Sequence, residues 1–383
     1  MPQDLREAVP AHPDTLVPVV VDERLRRSLV TTTAGLRAVG PALDALARAA
    51  RAPASVASAL AAVWLGAHPE ESPYVVLVHR GTTLVGAALL TRRRERAWVR
   101  FGKAGVQGEP FTLLHTDAEA ADALVRAVAL SLPRHSSRVV LEDLPEPDRT
   151  TRRLAAALPR ASLVPTDPVP VLDVSDAPAA DGGPRLISRN TRQAVAKATN
   201  RARREGRDLV LRWTADPDEV VDALPAVVGL HVRRNADHGR AALLLDPVER
   251  AVYEETVVTQ ARAGRVRLLR TTIDGELAAF ALCFTSPGRW WVWSNYADPD
   301  WLHYSPGTVS NAEVVRAAAE DPDVDCLDWG SGLQRYKLSG PVHLESRQRL
   351  EAAAPAVDRA LRAESIARRA GRRLRRLRRL RRR

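Results

Sequence analysis

Cysteine, lysine and methionine are nearly missing from this chain of 383 residues, which has two cysteines, three lysines and one methionine. Cys283 and Cys326 form no Cys-x-x-Cys pair and have no metal-spaced histidine nearby. That excludes a disulfide framework and gives no cysteine metal motif, so no metal is expected, and both read as buried strand thiols in a reducing compartment. The lysines are Lys103, Lys197 and Lys337 among 57 basic residues, an arginine bias that, with abundant alanine, points to a GC-rich bacterial genome. No stretch approaches the ~18 uncharged apolar residues a membrane-spanning helix needs. The opening MPQDLREAVP has acids and a proline where a secretory signal has a basic region and an apolar core, so the expected location is the cytoplasm. There is no Gly-x-Ser-x-Gly elbow, and neither cysteine has an obvious histidine partner, so the sequence shows no covalent nucleophile.

The length favours two or three domains, each with its own core. A composition of 45% hydrophobic and 27% charged residues is that of a soluble globular protein. The net charge of +11 is misleading about the body of the molecule. Residues 359–383 hold thirteen arginines against the single acid Glu364, and the rest of the chain is close to neutral. A basic surface on a folded domain would favour nucleic acid more than this terminal block does. Ile366, Ala370, Leu374, Leu377 and Leu380 fall on one side of a helix with arginine elsewhere, so residues 351–383 read as an Arg-rich amphipathic helical tail. It suits peripheral contact with an anionic membrane at the inner face, and equally a solvated tail.

The fold class expected is α/β with mixed sheets. Residues 1–70 read as helical. Tyr74–Arg80 and Leu84–Thr91 then flank Gly81-Thr82-Thr83 as a hairpin, followed by a strand at Trp98–Phe101, a helix at Asp117–Leu132, a short strand at Arg138–Leu141 and a helix at Arg149–Leu158. The order recurs later, with a hairpin around Asp274-Gly275-Glu276, a tryptophan strand Trp290–Tyr296, a helix and a short strand ending in acids. At an offset of 194 residues Gly81, Ala87 and Thr91 match Gly275, Ala281 and Thr285, which suggests two copies of one unit. The expected division is 1–165, an edge strand and linker over 166–184, a second unit over 185–350 and the tail.

Chemistry concentrates in the second unit. In Trp290–Tyr296, alternation puts Trp291, Trp293 and Asn295 on one face, as core packing or as a pocket wall through Trp293. Tyr304-Ser305-Pro306-Gly307-Thr308 opens a helix, so Ser305, Gly307 and Thr308 form either a cap or a place for an anion against free backbone N–H groups. The densest polar run is Asp328-Trp329-Gly330-Ser331-Gly332 through Tyr336-Lys337. A strand-end carboxylate there can take a proton or hold an amine, or merely cap the turn, while a phenol can return a proton and an ammonium can hold an anion.

With these residues in view, the second unit resembles the GNAT acyltransferase superfamily, in its tandem-domain branch of CelD-like acetyltransferases and Fem peptidoglycan aminoacyltransferases. The resemblance rests on Ser188-Arg189-Asn190 with Arg192, Leu230-His231 with Arg233-Arg234, Ser305-Pro306-Gly307, and the Asp328-Trp329-Gly330 to Tyr336-Lys337 run, within about residues 185–345. The first unit resembles it only in its order of elements. The resemblance implies two tandem GNAT-like domains and attack of a substrate amine on a thioester, with acyl-CoA (acetyl-CoA) as co-substrate and a cell-envelope sugar, peptidoglycan or polysaccharide precursor as acceptor. It implies Asp328 as general base or amine holder, Tyr336 as proton donor, Lys337 on an anionic part of a substrate, His231 as a competing base, and Arg192 and Arg234 as anion contacts. The usual Gly-rich pyrophosphate loop is absent at 302–310, which reads LHYSPGTVS. The alternatives are tRNA-dependent aminoacyl transfer and a non-catalytic scaffold at the membrane surface.

Overall fold

A computed structural model describes residues 19–20, 25–95, 97–105, 109–146, 148–175, 186–237, 243–364 and 366. Of the expected tail helix only its start falls among them, with residues 355–364 helical. The rest of the expected tail lies outside the described residues.

The first half runs β1 (Val19–Val20), β2 (Leu25–Val30), α1 (Thr33–Ala49), α2 (Ser58–Ala67), β3 (Glu71–Arg80), β4 (Thr83–Arg94), β5 (Val99–Lys103), β6 (Leu114–His115), α3 (Ala118–Ser131), β7 (Ser137–Glu146), α4 (Arg149–Ala157) and β8 (Ser162–Pro165). Helix starts are set locally, because Thr32, Asp117 and Asp148 each accept an N–H of the first turn. Residues 1–70 are not all helical. Leu25–Val30 is a strand along β3, with Leu25, Ser28 and Val30 buried.

The second half runs β9 (Val169–Asp173), α5 (Arg189–Arg204), β10 (Leu209–Thr214), α6 (Pro217–Asp237), α7 (Pro247–Arg262), β11 (Val266–Ile273), β12 (Glu276–Ser286), β13 (Gly288–Ala297), α8 (Pro306–Glu320), β14 (Val324–Asp328) and β15 (Val342–Ala353). The hairpins β3–β4 and β11–β12 share a two-residue turn and a bulge at the same distance from it. Arg80 pairs Thr83 as Ile273 pairs Glu276, so equivalent positions are one residue out of step with the identities at offset 194. Topology therefore carries the repeat, and those three identities do not. Each half then makes one parallel pair, β5 with β7 and β13 with β14. Helices cover both faces of each sheet. In the first half, α1 and α2 pack on one face and α3 and α4 on the other. In the second half, α6 and α7 pack on one face and α8 on the other.

The two sheets are one. The order is β1-β2-β3-β4-β5-β7-β15-β9-β14-β13-β12-β11-β10. β15 is the seam, since Val342–Glu345 pair β9 and Ser346–Ala353 pair β7. Two expectations change here. The segment Val169–Val174, expected at an edge because of Pro170, has β14 on one side and β15 on the other. Pro170 is tolerated because it acts as an acceptor, taking the Trp329 N–H at 3.0 Å, at the end of the ladder where its own missing donor breaks no interior rung. β15 also runs through the expected boundary at residue 350, and its polar VHLESRQRLEAA pattern is a strand because both flanks are paired.

Candidate functional site

β13 and β14 run together from Gly288 to Trp291 and from Val324 to Asp328, and then part. β13 continues alone to Ala297 while the chain after β14 turns into a loop. Near this parting β13 is bulged. Leu282 faces Ser294 and Cys283 faces Val292, so Trp293 is the extra residue. The alternation read from the sequence holds up to the bulge and is reversed beyond it. Trp290 and Val292 lie on the α8 face and Trp291 and Trp293 on the α6–α7 face. Past the bulge, Asn295 joins the α8 face, donating to Asn311 of α8 at 3.0 Å, and Tyr296 joins the α6–α7 face.

On the α8 face lies a cavity of about 970 Å³. Its walls are the first turns of α5 (Ser188, Thr191, Ala194), one side of α8 (Thr308, Asn311, Ala312, Val315) and the loop residues Trp329, Arg335, Tyr336 and Leu338. This is the upper end of the size range of ligand sites, and the wall is mostly apolar with a few polar groups. The Tyr336 hydroxyl donates to Asn295 Oδ1 at 3.2 Å, closing the gap left where β13 and β14 part. Burial raises the Tyr336 phenol above its ordinary pKa, against the opposing bond to Asn295.

The acid, the phenol and the ammonium of the 328–337 run do not converge on this cavity. Asp328 is 1% exposed and lines a different cavity, of about 590 Å³, together with Arg289, Glu345 and Arg347. Its Oδ2 takes Arg289 at 2.9 Å and lies 3.5 Å from Arg347, both of which also meet Glu345, while Oδ1 accepts the Gly330 N–H at 2.7 Å. Burial works against the Arg289 charge, but the Glu345 bond and the Asp328 charge outweigh it and raise its pKa. Asp328 is thus one of two acids balancing two guanidiniums at the wall of that second cavity, and the cap of the following turn; both of its oxygens are engaged. The capped turn needs Gly330, whose φ is +71°. Lys337 is also interior, 7% exposed, donating to the Gly330 and Ser331 carbonyls at 3.2 and 2.7 Å. Burial lowers its pKa to about 8. It staples the loop in place of the expected contact with a substrate anion.

His231 sits in α6 on the opposite face, stacked on Tyr296 with ring centroids 4.3 Å apart and edge-on to Tyr253 at 5.6 Å. Its Nδ1 is buried without a hydrogen-bond partner. Burial lowers its pKa to about 4, which makes it a poor proton acceptor at neutral pH and assigns it to the aromatic packing. Trp293 belongs to the same cluster, stacked on Tyr253 and Phe284, and its indole donates to Glu109 of the first half at 3.2 Å. It is an inter-half contact and does not line the cavity.

The helix start at Ser305-Pro306-Gly307-Thr308 also differs from an anion cradle. Ser305 is left-handed at φ +48°, and its carbonyl accepts the N–H groups of Thr308 and Val309. Pro306 has no N–H. A Cβ on Gly307 would come 3.1 Å from the Ala297 side chain, so this glycine seats α8 on β13. Of the three, Thr308 alone lines the cavity. Arg192 is exposed on the first turns of α5, and Arg234 is half-buried near the end of α6; neither lines the cavity.

Asn311 and Arg335 at the cavity, the role of Asn295 in holding Asn311 and Tyr336, and Arg289 in the acid network were not singled out by sequence reasoning. Only the bulge reveals Asn295, and a bulge leaves no mark in residue pattern. Burial raises both cysteine thiols, Cys283 to about 12. Among the described residues no cluster of three or more His, Cys, Asp or Glu is placed to hold a metal ion, and no helix is long and apolar enough to cross a membrane.

Residues 189–338 match the family described as acetyltransferase (GNAT) domain. These residues are a GNAT domain. It makes the chain an acyltransferase, and the span runs from the first turn of α5 to the loop at Leu338, enclosing the parted strands and most of the cavity wall. In fold the whole chain is similar to FemX, at 9% identity and a TM-score of 0.62, over 84% of this chain and 98% of that one. It is also similar to the C-terminal domain of a protein described as a lysylphosphatidylglycerol synthetase from Agrobacterium fabrum, at 12% identity and a TM-score of 0.53, over 87% and 96%. These likenesses are of fold, and they span both halves. No sequence relative is found among curated proteins.

Proposed function

We propose that the chain is an N-acyltransferase that uses an acyl-CoA thioester, bound in the 970 Å³ cavity, to acylate an amine of a cell-envelope sugar, peptidoglycan or polysaccharide precursor in the cytoplasm. The observation that carries it is the meeting, at the point where β13 and β14 part, of a bulged strand, a phenol and a large apolar-walled cavity. The residues present fit such a donor. Ala194, Ala312, Val315 and Leu338 suit its apolar arm, and Arg335, with the exposed Arg192 near the mouth, suits its phosphates.

The chemistry is attack of the amine nitrogen on the thioester carbonyl, breaking the carbon–sulfur bond and leaving a thiol and an amide. The bulge takes the backbone of Trp293 out of the ladder, and in this reading an N–H freed there donates to the carbonyl oxygen as it gains charge. The Tyr336 hydroxyl, kept neutral by its raised pKa, donates a proton to the departing sulfur, and the phenolate so formed takes back the proton that the attacking nitrogen sheds as the amide forms. With Asp328 and His231 engaged elsewhere, amines that are neutral in solution are the better acceptors, and rate rises with pH through the amine's own titration. Release of thiol from acyl-CoA, screened over candidate amines and read by mass spectrometry, tests the reading. Tyr336→Phe is expected to lower kcat by about 10²-fold with little change in KM. No thermal shift and no thiol release with any acyl-CoA, together with low-salt binding of charged tRNA, would transfer the activity to an aminoacyl-tRNA donor.

A further inference from the structure

α5 carries six cations and no acid: Arg189, Arg192, Lys197, Arg201, Arg203 and Arg204. Five are exposed and Arg201 is half-buried. None forms an ion pair among the described residues. The nearby arginines do pair, Arg207 with Asp274, Arg212 with Glu219, and Arg316 with Glu313 and Glu320. A solvated helix ordinarily mixes its signs, so six charges of one sign along sixteen residues are a built feature. Lys197, Arg201 and Arg204 stand at i, i+4 and i+7 on one stripe, and Ala198 and Ala202 are buried against the body. The helix is about 24 Å long, so a donor in the cavity at its first turns would leave this stripe uncovered.

One exposed leucine lies on a turn tied to this helix, and another lies in the loop across the cavity from the helix start. Leu302 is 48% exposed on the turn that Arg201 holds through the His303 carbonyl. Leu333, 50% exposed, lies in the loop that forms the cavity wall facing the first turns of α5. Cations in a row with these exposed leucines make an interfacial surface, in which the charges meet anionic headgroups and the leucines enter the acyl boundary. An RNA partner would be served by the cations but gives no use for the leucines.

We infer that the exposed face of α5 docks the protein on an anionic phospholipid bilayer, with Leu302 and Leu333 entering the interface. This does not depend on what the cavity binds. The test is sedimentation of the full chain with phosphatidylcholine vesicles, with and without phosphatidylglycerol, at low and high salt. Binding is expected only with phosphatidylglycerol and is lost in high salt. Lys197→Ala/Arg201→Ala/Arg204→Ala is expected to lower the partition coefficient on the order of 100-fold, at roughly fivefold per cation, and Leu302→Ser/Leu333→Ser roughly tenfold. Lys197→Glu/Arg204→Glu, which keeps the Arg201 contact, should lose binding with an unchanged circular dichroism spectrum. Wild-type binding by the alanine variant would mean that the arginine-rich C-terminal segment alone holds the membrane, and would overturn the inference. So would vesicle binding that ignores phosphatidylglycerol, or binding of tRNA without binding of vesicles.

Discussion

Asp328→Asn separates a structural carboxylate from a chemical one. The wild-type residue is 1% exposed and balances Arg289 and Arg347 together with Glu345. The amide keeps the volume and an oxygen for the Gly330 N–H, but leaves two guanidiniums with one acid and turns an N–H₂ toward them. Breaking a buried ion network by removing one member costs about 3–5 kcal/mol. Urea unfolding, followed by fluorescence of the eight tryptophans, should show a lower midpoint with an unchanged slope. Removing one cation as well, in Asp328→Asn/Arg289→Gln, restores the count to one acid and one base. The double variant should therefore lose about 1–3 kcal/mol less than the sum of the singles. Activity per folded molecule should fall less than tenfold. A variant that unfolds within ~0.5 kcal/mol of wild type yet loses acyl transfer by 10³-fold would refute this and return Asp328 to the reaction.

His231 and Lys337 titrate in windows that the fold has moved. His231 holds its proton only below about pH 4 in the folded chain and below about 6.5 when unfolded, so stability should fall as pH drops from 6.5 to 4, by up to about 3 kcal/mol. His231→Phe should flatten that slope in acid unfolding experiments and leave neutral-pH activity within a few-fold; complete loss of turnover in a stable variant would make His231 the base after all. For Lys337 the folded pKa is about 8 against 10.5 unfolded, so between those values the unfolded chain binds more protons and stability rises with pH, by roughly 2–3 kcal/mol. Lys337→Met should remove that rise relative to wild type, which urea midpoints at pH 7.5 and 9.5 compare.

Most elements could be read from the sequence because their signals are local. Caps at Asp117, Asp148, Ser188 and Asp246 fixed helix starts, and turns at Gly81 and Gly275 fixed hairpins. What escaped depends on partners remote in sequence. Leu25–Val30 and Val342–Ala353 carry no strong strand pattern and are strands through their pairings. The acid at Asp328 reads as available until Arg289 and Arg347 close on it from β13 and β15. The side of β13 taken by Asn295 is decided by one extra residue at Trp293. Tyr336 was the catalytic candidate that reached the cavity because its position follows from a short loop anchored by glycine and lysine, both visible in the sequence.

The seam strand has a consequence for how the molecule assembles. β7 finds its outer neighbour only in residues made some two hundred positions later, so during synthesis the first half waits with an exposed hydrogen-bonding edge and an open flank to its core. Leu350 and Ala352, which complete that core, arrive after the whole acyl-transfer half has been translated. Neither half is then a free-standing folding unit, and a long-range closure of this kind makes the last step slow and vulnerable to misassociation.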